Sequence, residues 1–154
     1  MTPIIGVCLL GLVALTPCDA ESAEVARVYS SYALVIPAEH LALVRGLYWA
    51  PAGRRGEANW STMRLGLSRK PSAYVLAHET AHLVSAANLP LWKRYRERFW
   101  PDGFPVDGLP TRYARTNAAE DWAESVAHII TGDTHDMKER AAWLIPELPA
   151  LRGH

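Results

Sequence analysis

The pattern of hydrophobic residues predicts two long helices in the second half of the chain. Segment 72–87 contains no Gly or Pro and is apolar on nearly all sides, which is typical of a buried helix. Segment 111–130 has its apolar residues at helical spacing, and Gly132 follows it as a stop signal. The apolar stripe of this second helix consists of Ala119, Trp122, Ala123, Val126, Ala127 and Ile130.

The first elements after the N-terminal segment are predicted to be a strand and a short helix. Segment 23–36 ends in a run of β-branched and aromatic residues, which indicates a strand closed by Pro37. Segment 38–45 has a helical pattern that stops at Gly46. His40, within this helix, is expected to be an ordinary surface residue.

An antiparallel hairpin is predicted immediately before the first long helix. Its strands would be residues 47–50 and 58–67, and the Gly- and Arg-containing stretch 51–56 would be the turn. The sequence therefore predicts an α+β fold with a small antiparallel β-region and a C-terminal helical part.

The segments after residue 90 predict two more helices and one irregular loop. Residues 91–100 have aromatic side chains at helical spacing with basic residues between them. This pattern is typical of an amphipathic helix whose charged face is solvated. Residues 101–110 carry three Pro and two Gly and are predicted to be a loop, either a rim of the site or a connector. Residues 137–145 predict a final packing helix that is broken by Pro146 and has Trp143 inside.

Length and charge exclude several classes of protein. With 154 residues the chain is long enough for one domain with a substantial core, and too short for two ordinary ones. Lys plus Arg equals Asp plus Glu at 16 each, so no net field favours nucleic acid or an anionic membrane. No segment beyond the N-terminal one approaches the length of a membrane helix.

The N-terminus has the pattern of a secretory leader. Residues 4–15 form an uncharged apolar run followed by a turn-like stretch of small residues, which predicts a signal peptide at 1–20. Both cysteines, Cys8 and Cys18, fall inside it, so the mature chain would have no disulfide and no thiolate metal ligand. One alternative is an uncleaved N-terminal anchor or a short buried helix. Another is a lipoprotein leader acylated at Cys18, although Pro17 departs from that pattern. The protein is thus expected to be secreted or periplasmic, with no membrane span after removal of the leader.

Residues 78–82 read His-Glu-x-x-His within the first long helix. His78 and His82 are four residues apart and lie on one face, so both imidazoles can reach one metal ion, for which Zn²⁺ is suited. Glu79 is rotated by about 100° from His78, where it can act as a general base without being a ligand. A buried His-Glu-His group without a metal would leave polar groups uncompensated, so one zinc ion per chain is predicted.

The second long helix offers candidates for a third ligand. Glu120 can place a carboxylate on the metal, but its spacing from Asn117 also fits a capping box, in which it would only bind a backbone N–H. Glu124 lies one turn further on and could equally be a solvated helix residue. His128 and His135 are alternative ligands in place of Glu120.

Two motifs together indicate a family. The stretch 111–124, of the form T-x-Y-x-R-T-N-x-A-E-x-x-A-E, combined with the upstream H-E-x-x-H, resembles the anthrax lethal factor-like and Pro-Pro endopeptidase family of zinc metallopeptidases. The resemblance covers residues 72 to about 131, less than half of the chain. Asp121-Trp122 stands where the family has paired aromatics, and the chain lacks the large docking domains of lethal factor, so substrate choice is not carried over.

The resemblance implies a zincin-like, gluzincin-type catalytic domain over residues 21–154 that hydrolyses protein or peptide substrates. His78, His82 and Glu120 would bind zinc and Glu79 would be the general base. Tyr113 would support the developing oxyanion, and Glu124 would orient a ligand histidine from outside the first ligand sphere. An edge strand at 58–67 would pair with the extended substrate or be a plain structural hairpin. The alternative from another class is a zinc-stabilised binding module or an inactive relative of the peptidases.

Overall fold

The computed structural model describes residues 20–152, and the predicted leader with Cys8 and Cys18 lies outside this range except for Ala20. The fold is α+β, as predicted. None of the helices in residues 20–152 is long and apolar enough to cross a membrane. In chain order the elements are α1 (Ala20–Tyr29), α2 (Ala38–Leu41), β1 (Gly46–Trp49), β2 (Gly56–Asn59), β3 (Arg64–Leu67), α3 (Ala73–Ala87), α4 (Leu89–Phe99), α5 (Ala118–Thr131) and α6 (Lys138–Glu147).

The sheet has three strands in the order β1-β3-β2. β2 pairs antiparallel with β3, whereas β1 pairs parallel with β3, so the sheet is mixed and the predicted pairing of 47–50 with 58–67 as an antiparallel hairpin is wrong. Segment 58–67 does not form one strand because the side chain of Asn59 accepts hydrogen bonds from Ser61 Oγ and Thr62 N. Such an Asx-type turn reverses the chain and makes the hairpin within this segment.

The strand predicted at the end of segment 23–36 is also wrong, because α1 extends to Tyr29 and residues 32–35 form a 3₁₀ turn. α1 buries Val25 and Tyr29 in the core and covers the outer edge of β1. Ser22 Oγ donates to the carbonyl of Leu47, and Glu21 accepts from the backbone N–H of Trp49. Side chains of α1 thus bond to backbone groups at the edge of β1, a contact that the periodicity of the sequence does not indicate.

The short helix α2 ends at Leu41, earlier than the predicted 45, because the backbone N–H of Arg45 already bonds to Met63 O beside the sheet. His40 is only 4% exposed, so the prediction of a surface residue is wrong. Both α2 and α3 contribute side chains to the same core, which draws this face of α2 inward.

Helices α3 and α5 pack against each other and form the centre of the molecule. The predicted helix at 72–87 is confirmed, whereas the one predicted at 111–130 begins only at Ala118, after a 3₁₀ helix at Tyr113–Thr116. The buried indole of Trp122 donates to the carbonyl of Ala81 on α3 at 2.8 Å. The predicted helices at 91–100 and 137–145 correspond to α4 and α6, although α6 continues past Pro146 to Glu147. The aromatic rings of Tyr95, Phe99, Trp122 and Trp143 stack edge to face below this pair.

The loop 101–110 is irregular apart from one 3₁₀ turn, as predicted, and it is held by a buried arginine. Arg140 has no exposed surface and pairs with Asp121 at 2.9 Å. Its remaining N–H groups donate to the carbonyl oxygens of residues 106, 107 and 108. The loop therefore reaches Thr111, at the edge of the site, from a fixed position. Sequence analysis did not identify this ion pair, and its only signal was a carboxylate beside the apolar stripe of α5.

Candidate metal centre

Two imidazoles and one carboxylate meet where α3 packs on the start of α5. His78 and His82 are buried on one face of α3, and their Nε2 atoms are 3.3 Å apart. Glu120 Oε2 lies 3.1 Å from Nε2 of His78 and 3.5 Å from Nε2 of His82. The three atoms thus form a nearly equilateral triangle.

The dimensions of this triangle fit a zinc ion. Ligand atoms at tetrahedral corners about 2.0 to 2.1 Å from zinc lie about 3.3 Å from one another. In addition, Glu120 Oε2 and His82 Nδ1 are buried and make no aligned hydrogen bond within the described structure. Buried polar atoms are costly without a partner, and a cation bound between the three groups would compensate the carboxylate.

Glu79 belongs to the same cluster. Ligand atoms of His78, Glu79 and His82 all lie within 4.8 Å of one another, so this buried group could also hold a metal ion. The triangle that Glu120 closes is tighter, which favours Glu120 as the third ligand. Burial raises the pKa of Glu79 to about 7, an effect that the nearby His78 reduces and the carboxylates of Glu120 and Glu57 increase.

Opposing effects determine the pKa values of His78 and Glu120. Burial disfavours the charged imidazolium of His78, but the carboxylates of Glu120 and Glu124 beside the ring outweigh burial and raise its pKa to about 9. Burial likewise disfavours the ionised Glu120, yet the neighbouring imidazoles outweigh it and hold the pKa of Glu120 well below its usual value. The two carboxylates beside His78 thus favour a positive charge at this position, whether it is a proton on the imidazole or a bound cation.

Glu124 contacts His78 from the side opposite the triangle. Its Oε1 is 2.9 Å from His78 Nδ1, though not in full hydrogen-bond alignment, and its Oε2 accepts from the hydroxyl of Thr111. Glu124 is 4% exposed, so it is not the solvated helix residue of the alternative prediction. Burial opposes its ionisation, but His78 and Thr111 outweigh burial and lower the pKa of Glu124.

Asn117, and not Glu120, caps the start of α5. The amide oxygen of Asn117 accepts from the backbone N–H groups of Ala119 and Glu120. The Glu120 side chain points to the imidazoles instead of back to the Asn117 backbone, so the capping role weighed in the sequence does not account for it. The predicted alternative ligands have other partners: His128 Nδ1 contacts Asp133, and the exposed His135 contacts Asp136.

Tyr113 stands at the mouth of the cluster. It begins a short 3₁₀ helix, Tyr113–Thr116, its side chain is 54% exposed, and its ring centre is 6.0 Å from that of His78. Partial burial and the negative charge of Glu120 raise the pKa of its phenol. The phenol is therefore a neutral donor at physiological pH.

A cleft of about 760 Å³ opens beside His78 and Glu79. Several residues that line this cleft could not be recognised from the sequence, since nothing in their spacing marks them. Gly56 is the clearest case: a Cβ there would lie 2.5 Å from Glu79 Oε1. Trp60, on the β2–β3 turn, flanks His82 with its ring centre 6.3 Å away. Further cleft-lining residues are Arg54, Arg55, Tyr74 and Val75.

Comparisons with known proteins returned no matching family model, curated protein or solved structure.

Proposed function

We propose that this chain is a zinc-dependent endopeptidase of the lethal factor-like type, with a zincin-like catalytic domain. The observation that carries the proposal is the triangle of His78 Nε2, His82 Nε2 and Glu120 Oε2, with edges of 3.1, 3.3 and 3.5 Å. These residues would hold the ion and leave its fourth position open. Zinc held by three protein ligands acts as a Lewis acid and lowers the pKa of its water to about 7.

Glu79 is the general base in this proposal. Its carboxylate sits beside the triangle, and its pKa of about 7 lies close to the ambient pH. A base with such a pKa can accept a proton from the attacking water and return it to the leaving amine of the cleaved peptide. Because Gly56 has no side chain, the carboxylate can lie directly against β2.

Tyr113 and Glu124 support the two sides of the reaction. The neutral phenol of Tyr113, at the mouth of the site, can donate to the oxyanion that develops on the peptide carbonyl. Glu124 contacts His78 Nδ1 and thereby favours the tautomer whose Nε2 is free to bind the metal. Neither role requires a nucleophilic Ser or Cys.

The sheet offers a place for an extended peptide. Among residues 20–152, β2 is an edge strand that pairs with β3 alone, and its first residue, Gly56, lies against the side chain of Glu79. A substrate backbone added along this edge would run past the base and the metal ligands. We therefore propose a protein or peptide substrate bound largely through its main chain. The N-terminal leader pattern supports action outside the cytoplasm.

Zinc content and proteolysis, measured on one preparation, test the proposal. The purified protein should bind one zinc ion per chain, by atomic emission, and cleave members of a fluorogenic peptide library. Glu79→Gln should retain zinc and lose activity by about 10²- to 10⁴-fold, the usual contribution of a general base. Glu97→Gln, at an exposed carboxylate on α4, is the matched control and should behave like the parent.

Two results would contradict the proposal. Full activity of Glu79→Gln would remove Glu79 from the mechanism. A chain that binds zinc stoichiometrically and is stabilised by it, but cleaves no peptide in the library, would be the zinc-stabilised binding module instead.

A further inference from the structure

The hydroxyl of Thr111 joins two parts of the site that lie on different elements. It donates to Glu124 Oε2 on α5, and it accepts from the backbone N–H of Ala114 at 3.1 Å. Thr111 is itself half-buried and follows the loop whose carbonyl groups Arg140 binds. One hydroxyl thus has its donor and its acceptor function both occupied, in a fixed position.

The bond from Thr111 to Glu124 acts on His78, one of the proposed metal ligands. Glu124 uses one carboxylate oxygen for Thr111 and the other for His78 Nδ1, at 2.9 Å. A carboxylate held at one oxygen cannot rotate freely, so the Thr111 bond also fixes the oxygen that faces His78. Such outer partners orient a ligand imidazole and raise its affinity for metal.

The bond from the backbone N–H of Ala114 to Thr111 acts on the phenol of Tyr113. The 3₁₀ helix Tyr113–Thr116 has no side-chain cap at Arg112, its N-cap residue, and the bond to Ala114 N is the contact through which Thr111 holds its first turn. Because more than half of the Tyr113 side chain is exposed, packing restrains it weakly. Its distance from His78 therefore depends on where the backbone of this turn is held.

We propose that Thr111 is a positioning residue that sets the His78 ring, through Glu124, and the Tyr113 phenol, through Ala114, relative to each other. The Tyr113 half rests on the proposed function. The His78 half concerns metal binding alone and stands without it.

The test uses Thr111→Val, which keeps the shape and removes the hydroxyl, and Thr111→Ser, which keeps the hydroxyl. Thr131→Val is the matched control, because the hydroxyl of Thr131 donates only within α5, to Ala127 O. Zinc Kd is measured by chelator competition, kcat and KM are measured on a cleaved peptide at saturating zinc, and circular dichroism verifies the fold. Should Thr111→Val not fold, Thr111→Ala replaces it.

Thr111→Val should weaken zinc binding about tenfold. This is the lower end of the loss in metal affinity that follows removal of a group that orients a metal ligand. It should also lower kcat about tenfold with little change in KM, less than the loss of a whole oxyanion donor. Thr111→Ser should restore both values. In a Glu124→Gln background Thr111→Val should no longer affect zinc Kd, and in a Tyr113→Phe background it should no longer affect kcat.

Unchanged zinc Kd in Thr111→Val would overturn the His78 half, and unchanged kcat would overturn the Tyr113 half. Failure of Thr111→Ser to restore a value would show that the hydroxyl alone does not account for the loss, and it would overturn the half of the proposal to which that value belongs. If the parent protein hydrolyses no peptide, the proposed function and the Tyr113 half both fail, whereas the zinc measurements still decide the His78 half.

Discussion

Gly56→Ala is the substitution that best separates the proposed base, Glu79, from the proposed metal ligands. An alanine Cβ at this position would lie 2.5 Å from Oε1, 2.7 Å from Cγ and 2.8 Å from Cδ of Glu79. Ordinary contact begins at 3.4 Å, so the carboxylate must retreat by about 0.9 Å. All three of the nearest atoms belong to Glu79, and the change therefore acts first on the base.

The expected effect on activity is large and the effect on stability is small. Misplacement of a reacting group by about 1 Å can reduce a rate about 100-fold. The end of the Glu79 side chain can move, and alanine in a strand is favoured over glycine by about 0.5 to 1 kcal/mol, which offsets part of the strain. We expect Gly56→Ala to keep one zinc per chain and the parent melting temperature to within a few degrees, with kcat/KM about 100-fold lower.

The assay compares peptide hydrolysis and zinc content of Gly56→Ala with those of Gly46→Ala. The control introduces the same methyl group at the start of β1, where it would meet the flexible side chain of Arg64 at 2.8 Å, away from the base. Parental activity in Gly56→Ala would refute the reasoning, since the position of Glu79 would then not limit the reaction. Loss of zinc would refute it differently, because Glu79 would then be a metal ligand.

Three further predictions concern the ligands and the fold. Glu120→Gln should weaken zinc binding about 100-fold or more in chelator competition, because it removes the charged corner of the triangle. Arg140→Lys should lower the free energy of unfolding, measured in urea, by about 3 kcal/mol, because one ammonium group cannot bind Asp121 and three carbonyl groups as the guanidinium does. Arg98→Lys, at an exposed arginine, should change the free energy of unfolding by less than about 1 kcal/mol. Zinc must displace the proton that His78 holds below its pKa of about 9, so zinc affinity should rise about tenfold per pH unit from pH 7 towards 9. Titrations with a pH-corrected chelator measure this change, and a flat profile would contradict the raised pKa.

The helices that carry the site could be predicted from the sequence because their signals are local. The spacing of His78 and His82 places both imidazoles on one face of any helix, and the uninterrupted apolar segment 72–87 made the helix itself predictable. Asn117 marked the start of α5, where its side chain accepts two backbone bonds. These properties depend on residues within one or two turns of one another.

The sheet could not be predicted because its pairing depends on distant segments. β1 pairs in parallel with β3, its neighbour in the sheet, although β2 lies between them in the sequence, and α1 supplies side chains that cover the outer edge of β1. Neither relation changes the local strand signals of the sequence, which are the alternation of apolar residues, β-branched and aromatic runs, and turn residues at the strand ends. The contact between Gly56 and Glu79 was hidden for the same reason: the glycine looked like an ordinary turn residue.

α5 shows why the site and the fold cannot be separated at this position. Its first two turns place Glu120 and Glu124 towards His78, while Asp121, one residue after Glu120, faces Arg140 and the loop on another side of the helix. The rotation of α5 about its axis therefore fixes both sets of contacts at once. A change that turns the helix to loosen the Asp121 ion pair must also move Glu120 away from the imidazoles, so this buried pair restrains the geometry of the proposed metal site from another side of the helix.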